Sequence, residues 1–254
     1  MNIADKLITI AENEQLVANA NAELEEALYS ASEGGKSYYD LFWDSFQNYG
    51  RRTVYPNAFS YSELTDDTFK PKYDLNVTDA YYMFFGNCGI TDLKNLDVKL
   101  DFSQCDDLRN AFYGMLNTDR GIGLKRVGVI DGRASNRGFY TFQGLFEWDI
   151  YLEEVEKIIV REDGSQGFPN TFGACYNLTE IEFEGVIGQD ISFADCPLSK
   201  KSIISVIKAL SPSVSGKTVT FNKSAKEAAF TTLAEWNELI DEKDGWTITL
   251  AEEG

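Results

Sequence analysis

A short phrase led by phenylalanine recurs along the middle of the chain and limits what it can fold into. Phe85-Gly-Asn-Cys88 is followed by Ile90, Leu93 and Leu96, and Phe112-Tyr-Gly-Met115 leads past an insertion to Leu124, Val127 and Val129. Phe142-Gln-Gly-Leu145 precedes Leu152, Val155, Ile158 and Val160, and Phe172-Gly-Ala-Cys175 precedes Leu178, Ile181 and Phe183. A truncated copy, Phe193-Ala-Asp-Cys196 with Leu198, closes the series. Self-similarity at intervals of roughly 20–50 residues marks units that bury too little apolar surface alone and become stable by stacking.

The expected repeat core is therefore Phe85, Cys88, Phe112, Met115, Phe142, Leu145, Phe172, Cys175, Phe193 and Cys196. Cys, Met and Leu interchange at one position, which reads as packing rather than as a disulfide or a metal ligand. Cys105 falls in a similar strand-and-turn phrase and is expected to be buried. The repeats occupy residues 79–198.

The flanks differ in character. Residues 1–35 carry no proline, no glycine before Gly34-Gly35, and a heptad pattern with Ile3, Ile10, Val17 and Leu24 on one seam position and Leu7, Asn21 and Leu28 on the other. A seam sustained over about four heptads predicts a coiled coil, and the polar Glu14 and Asn21 would fix its register. The alternative is an amphipathic helix folded back on its own chain.

Residues 36–78 hold a second helical pattern, Tyr38, Leu41, Phe42, Phe46 and Tyr49, read as core in preference to a carbohydrate-stacking strip, then an extended linker. In residues 199–254 a helix capped at Ser199 presents Ile203, Ile204, Ile207 and Leu210. A strand over 218–221, a helix over 225–241 and a strand over 245–250 complete the expected α/β cap.

The chemistry available is narrow. The chain has no histidine, which removes the commonest general base and metal ligand. Its four cysteines form no Cys-x-x-Cys. With 41 acidic against 23 basic residues the net charge is -18, which repels phosphate backbones and anionic membranes. No catalytic, cofactor-binding or metal-ligating residue is expected, and neither is nucleic-acid binding or membrane insertion. The opening residues carry no signal-peptide pattern, so the chain is expected to be made in the cytoplasm and to stay soluble.

The phrase Phe-x-x-Cys-x-x-Leu-x-x-Ile-x-Phe at residues 172–183 resembles the BspA-like class of leucine-rich repeats. The order of blocks is similar to that of leucine-rich-repeat proteins from bacteriophage and prophage tail regions: residues 3–14, 39–47 and 69–74, then the repeats, then Gly245 to Ile248. The resemblance implies an α+β fold, a leucine-rich-repeat-like β-solenoid of irregular repeats between a long N-terminal coiled-coil helix and a C-terminal α/β cap. It also implies a non-enzymatic, virion-associated tail protein, a homo-oligomer (a trimer favoured) through its N-terminal helix, with other tail proteins and a host surface receptor as partners. A bacterial cell-surface adhesin of the BspA-like class is the alternative. A polysaccharide-degrading enzyme built on a carboxylate pair such as Glu153-Glu154 or Asp106-Asp107 ranks below both.

Overall fold

Seven phenylalanines form a single file of rings through the protein. Phe59, Phe84, Phe112, Phe146, Phe172, Phe193 and Phe221 stack in that order, with centroids 5.2, 5.6, 5.3, 6.1, 4.7 and 6.1 Å apart and interplanar angles of 26° or less. The computed structural model describes residues 53–54 (backbone only), 56–62, 64–71 and 74–252.

The first five of these rings sit at the centres of five stacked turns, over residues 57–61, 82–86, 110–114, 144–148 and 170–174. Alternate amides of each turn donate to carbonyls of the next. Phe59 donates to Met83 (2.8 Å), Phe84 to Ala111 (2.7 Å), Phe112 to Leu145 (3.0 Å) and Phe146 to Thr171 (3.0 Å). Two further columns of such bonds flank the phenylalanines, one through Asn57, Tyr82, Asn110 and Gly144, the other through Tyr61, Gly86, Gly114 and Trp148. The backbone groups of the turns are thus paired even though these residues lie outside any strand, which a buried turn requires.

The residues two before and two after each phenylalanine all have positive φ, from 50° at Tyr61 to 69° at Trp148. Asn57, Asn110, Gly144 and Asn170 fill most of the first set, and Gly86 and Gly114 part of the second. These residue types tolerate the left-handed conformation. The local rule is left-handed residue, any residue, Phe, any residue, left-handed residue.

Among the described residues the strands between and beyond the turns form four small sheets. β1 (Thr53–Val54), β2 (Leu75–Val77) and β3 (Leu100–Asp101) pair in parallel. β4 (Leu116–Asn117) and β5 (Ile122–Gly123) form an antiparallel pair. β6 (Arg126–Asp131), β7 (Glu154–Ile159) and β8 (Glu180–Glu184) form a second parallel sheet. β9 (Ile191–Phe193), β10 (Lys217–Asn222) and β11 (Trp246–Ala251) form the third, with β10 central.

The helices are α1 (Lys200–Ala209), α2 (Lys223–Ala229) and α3 (Leu233–Ile240). Side-chain oxygens of Ser199, Asn222 and Thr232 cap their N-termini. One cluster of buried side chains runs from Phe59 to Trp246.

This architecture corrects the expected leucine-rich-repeat-like β-solenoid. Among the described residues the strands divide among four separate sheets, and the helices are three short ones. One physical reason is visible at β8. Its Ile181 and Phe183 amides donate to the Ser202 and Ser205 hydroxyls of α1 (2.9 Å each), so a helix satisfies the edge where a further strand would pair.

The expected long coiled-coil helix, with its seam Ile3, Leu7, Ile10, Val17, Asn21, Leu24 and Leu28, lies outside the described residues, as does the aromatic pattern from Tyr38 to Tyr49. The single helix expected over 225–241 is two, because Phe230 is extended (φ -127°, ψ 97°) and Thr232 starts a new helix as its cap.

The ring file sets the main stability prediction. Phe112 is fully buried between two stacked neighbours, so Phe112→Ala should cost about 3–5 kcal/mol. Urea unfolding followed by far-UV circular dichroism measures the loss.

Candidate binding face of the stacked turns

The repeat positions fall into place once the turn rule is applied. Phe112, Phe172 and Phe193 belong to the ring file, but Phe85 and Phe142 do not, since Phe84 and Phe146 occupy those steps. Phe142 is buried elsewhere in the core and stacks on Phe168 at 4.9 Å. Phe85 is half-buried on the outside of its turn. Three residues beyond Phe84, Phe112, Phe146, Phe172 and Phe193 stand Asn87, Met115, Asp149, Cys175 and Cys196, all fully buried. Cys88, expected in that column, is half-buried one residue further on, and Leu145 is core but directly precedes Phe146.

Two inward groups are polar, and their surroundings differ. Asn87 is satisfied: its Nδ2 donates to the Ser62 carbonyl and hydroxyl, and its Oδ1 accepts from the Gly89 and Ile90 amides. Asp149 Oδ1 accepts from the Met115 amide at 2.7 Å, while its Oδ2 has no hydrogen-bond partner among the described residues. Burial drives the Asp149 pKa well above the ordinary carboxylate value, against a smaller lowering by the Met115 amide.

A carboxyl group sealed in the core cannot meet a substrate. The four cysteines are free thiols, and burial pushes Cys175 and Cys196 up strongly and Cys105 to about 12, which keeps these three as inert thiols. Among the described residues, no group of three or more His, Cys, Asp or Glu side chains could hold a metal ion. No described helix is long and apolar enough to cross a membrane.

The outward positions are where the turns carry unusual side chains. The two residues after the phenylalanine of each of the five turns are Ser60-Tyr61, Phe85-Gly86, Tyr113-Gly114, Glu147-Trp148 and Gly173-Ala174, of which Ala174 is buried. Four successive turns therefore present one aromatic each: Tyr61, Phe85, Tyr113 and Trp148. Tyr61 is 73% exposed and Trp148 50%.

Phe85 meets Tyr61 edge-on at 5.0 Å, stacks on Tyr113 at 5.2 Å, and meets Tyr82 edge-on at 4.7 Å. Tyr82 in turn contacts Tyr81, whose ring lies 4.9 Å from the Arg109 guanidinium. Asp107 holds that guanidinium with two short bonds, at 2.6 and 2.9 Å. Tyr61 crosses directly above Gly86, where a Cβ would come within 2.8 Å of its ring. Above Gly114 the space is open, with nothing within 4 Å of the same point.

Three of these aromatics occupy left-handed backbone: Tyr61 (φ 50°), Tyr82 (φ 54°) and Trp148 (φ 69°). For a bulky residue that conformation costs roughly 1–2 kcal/mol, which glycine would avoid. Strain of this kind gathers at functional sites. Charge on the face is sparse. Desolvation is the leading cause raising the pKa values of Tyr82, Tyr113 and Glu147, so both phenols remain neutral well past physiological pH. Sequence reasoning missed this row because Phe85 was placed in the core. The rule locating Gly86 and Gly114 two residues after the file ring would have exposed it.

The chain matches no protein-family model, no curated protein and no solved structure.

Asp149 gives a pH prediction. Its folded pKa is raised, so the unfolded chain releases the proton first and stability falls as pH rises from about 4, the ordinary aspartate value, toward the folded pKa. Asp149→Asn keeps an acceptor for the Met115 amide and removes the proton release. Its melting temperature should exceed the parent's at pH 8, and the gap should close toward pH 4. Thermal melts across that range check it.

Proposed function

We propose that the protein is a non-enzymatic, virion-associated tail protein of a bacteriophage, which uses the aromatic face of its stacked turns to hold a host-cell surface or a neighbouring particle protein. The observation that carries the binding role is the placement of Tyr61, Tyr82 and Trp148 in left-handed backbone at outward positions of stacked turns. Their strain has no packing reward comparable to that of the buried ring file, since Tyr61 and Trp148 are at least half exposed. Touching aromatics at Tyr61, Tyr82, Phe85 and Tyr113, with Trp148 exposed on the following turn, favour a binding partner.

The location in a particle rests on the resemblance of the chain's block order to tail-region proteins, and the heptad seam from Ile3 to Leu28 supports assembly as a homo-oligomer. The acidic balance, a net of -18, argues for a partner other than nucleic acid or an anionic membrane. Immunogold labelling of purified particles with antibodies to this chain tests the reading. Gold on the tail is expected. Gold on uninfected bacterial envelopes, with none on particles, would replace it with a cell-surface adhesin.

A further inference from the structure

We infer that the free edge of β11 is a docking site for an extended strand of another protein, one that alternates apolar with hydroxyl side chains and carries a basic residue at each end. This surface closes the C-terminal sheet and is independent of the aromatic face. Three observations carry it.

The edge is open and lacks the usual protection. β11 is the outermost strand of its sheet and pairs with β10 without a break from Trp246 to Ala251. Among the described residues, no backbone hydrogen bond joins Thr247 to Ala251 to anything beyond β10. Proteins blunt such edges with charge, proline or a bulge, and the six residues of β11 contain none of these. The edge of β8, by contrast, is closed by the Ser202 and Ser205 hydroxyls.

The core stops short at the same place. Ile248 stands in register with Val219 and Leu250 with Phe221, so both continue rows of the core. Val219 and Phe221 are buried, whereas Ile248 is half-buried and Leu250 is 40% exposed. A further strand about 4.8 Å away would set its own apolar residues beside these two. Thr247 and Thr249 lie on the opposite face and suit hydroxyl-bearing neighbours.

Charge selects the partner. Asp241, Glu242 and Asp244 precede the strand, and Glu252 and Glu253 follow it. Lys243, the cation among them, donates to the Leu210 carbonyl at 2.7 Å. A second copy of β11 would set acid against acid in either strand direction, which opposes self-pairing. The inner edge shows what fits. β10 and its flanks read Lys217-Thr-Val-Thr-Phe-Asn-Lys223, with Lys223 on Glu252 at 2.6 Å and the Thr220 and Thr249 hydroxyls bonded at 2.7 Å. A strand of that pattern would complement the outer edge in the same way.

The test uses the full chain and a fluorescein-labelled peptide with the sequence of residues 216–224. Fluorescence polarisation should show saturable binding. Leu250→Lys in the chain should weaken it about tenfold, and so should Lys217→Glu with Lys223→Glu in the peptide. Val129→Lys makes the same change in charge at a comparably exposed position of another sheet and should leave binding unchanged. Circular dichroism confirms that each variant is folded. Amide hydrogen exchange should slow in β11 on binding while β10 stays protected.

Absence of saturable binding at up to about 1 mM chain overturns the inference. So does binding indifferent to Leu250→Lys, or to charge reversal in the peptide. Loss of protection in β10 would mean that the peptide had replaced that strand, and would overturn it as well. Sedimentation of the full chain decides between a foreign strand and a second copy. Self-association unchanged by Leu250→Lys is expected, and self-association abolished by it would give the edge to a second copy.

Discussion

The rest of the described structure depends on stacking the phenylalanine rings at the spacing of a hydrogen-bonded backbone. Main-chain bonds between turns set a step of about 4.8 Å, and parallel aromatic rings accept that step with a small offset. Each turn must therefore deliver its ring in register, which the flanking left-handed residues enforce by bending the chain tightly on both sides. Short strands then follow without a large sheet, because the turns already hold neighbouring segments together. Beyond the last of the five turns the ring file continues through Phe193 and Phe221, then meets Trp236 of α3 edge-on, which ends it.

The same construction separates inside from outside within five residues. The file ring and the residue three beyond it face inward, where Met115, Cys175 and Cys196 fill space and Asn87 satisfies its neighbours. In the first four turns the two residues between carry one aromatic per turn, Tyr61, Phe85, Tyr113 and Trp148, and the first three pack on one another. Asp149 is the exception on the inward side. It takes a place filled by Met or Cys in adjacent turns, and its buried, half-satisfied carboxyl lowers stability as pH rises.

Much of this was legible in the sequence, and what was not has identifiable causes. The Ser199 cap and the spacing of Ile203, Ile207 and Leu210 located α1, and the alternation after Gly245 located β11. The phenylalanine phrase was visible, but its register was ambiguous where two phenylalanines fit. Phe84 and Phe85 are adjacent, and Phe142 and Phe146 are one helical turn apart, so hydrophobic pattern alone chose wrongly in both. Backbone conformation decides between them: Asn110, Asn170 and Gly144 stand two residues before a file ring, and Gly86 and Gly114 two after. The division into four sheets was hidden because hydroxyls of Ser202 and Ser205, residues read only as helical, close the β8 edge. The binding face was missed for the same reason as the register.

The central claim is that the rings stabilise one another as a file rather than as separate buried side chains. A double-mutant cycle on Phe112 and Phe146, each replaced by Leu, isolates that coupling, since leucine keeps most of the apolar volume and removes the stacked ring pair. The account predicts a coupling energy of about 0.5–1.5 kcal/mol in urea unfolding at fixed pH. Strict additivity of the two substitutions would contradict it.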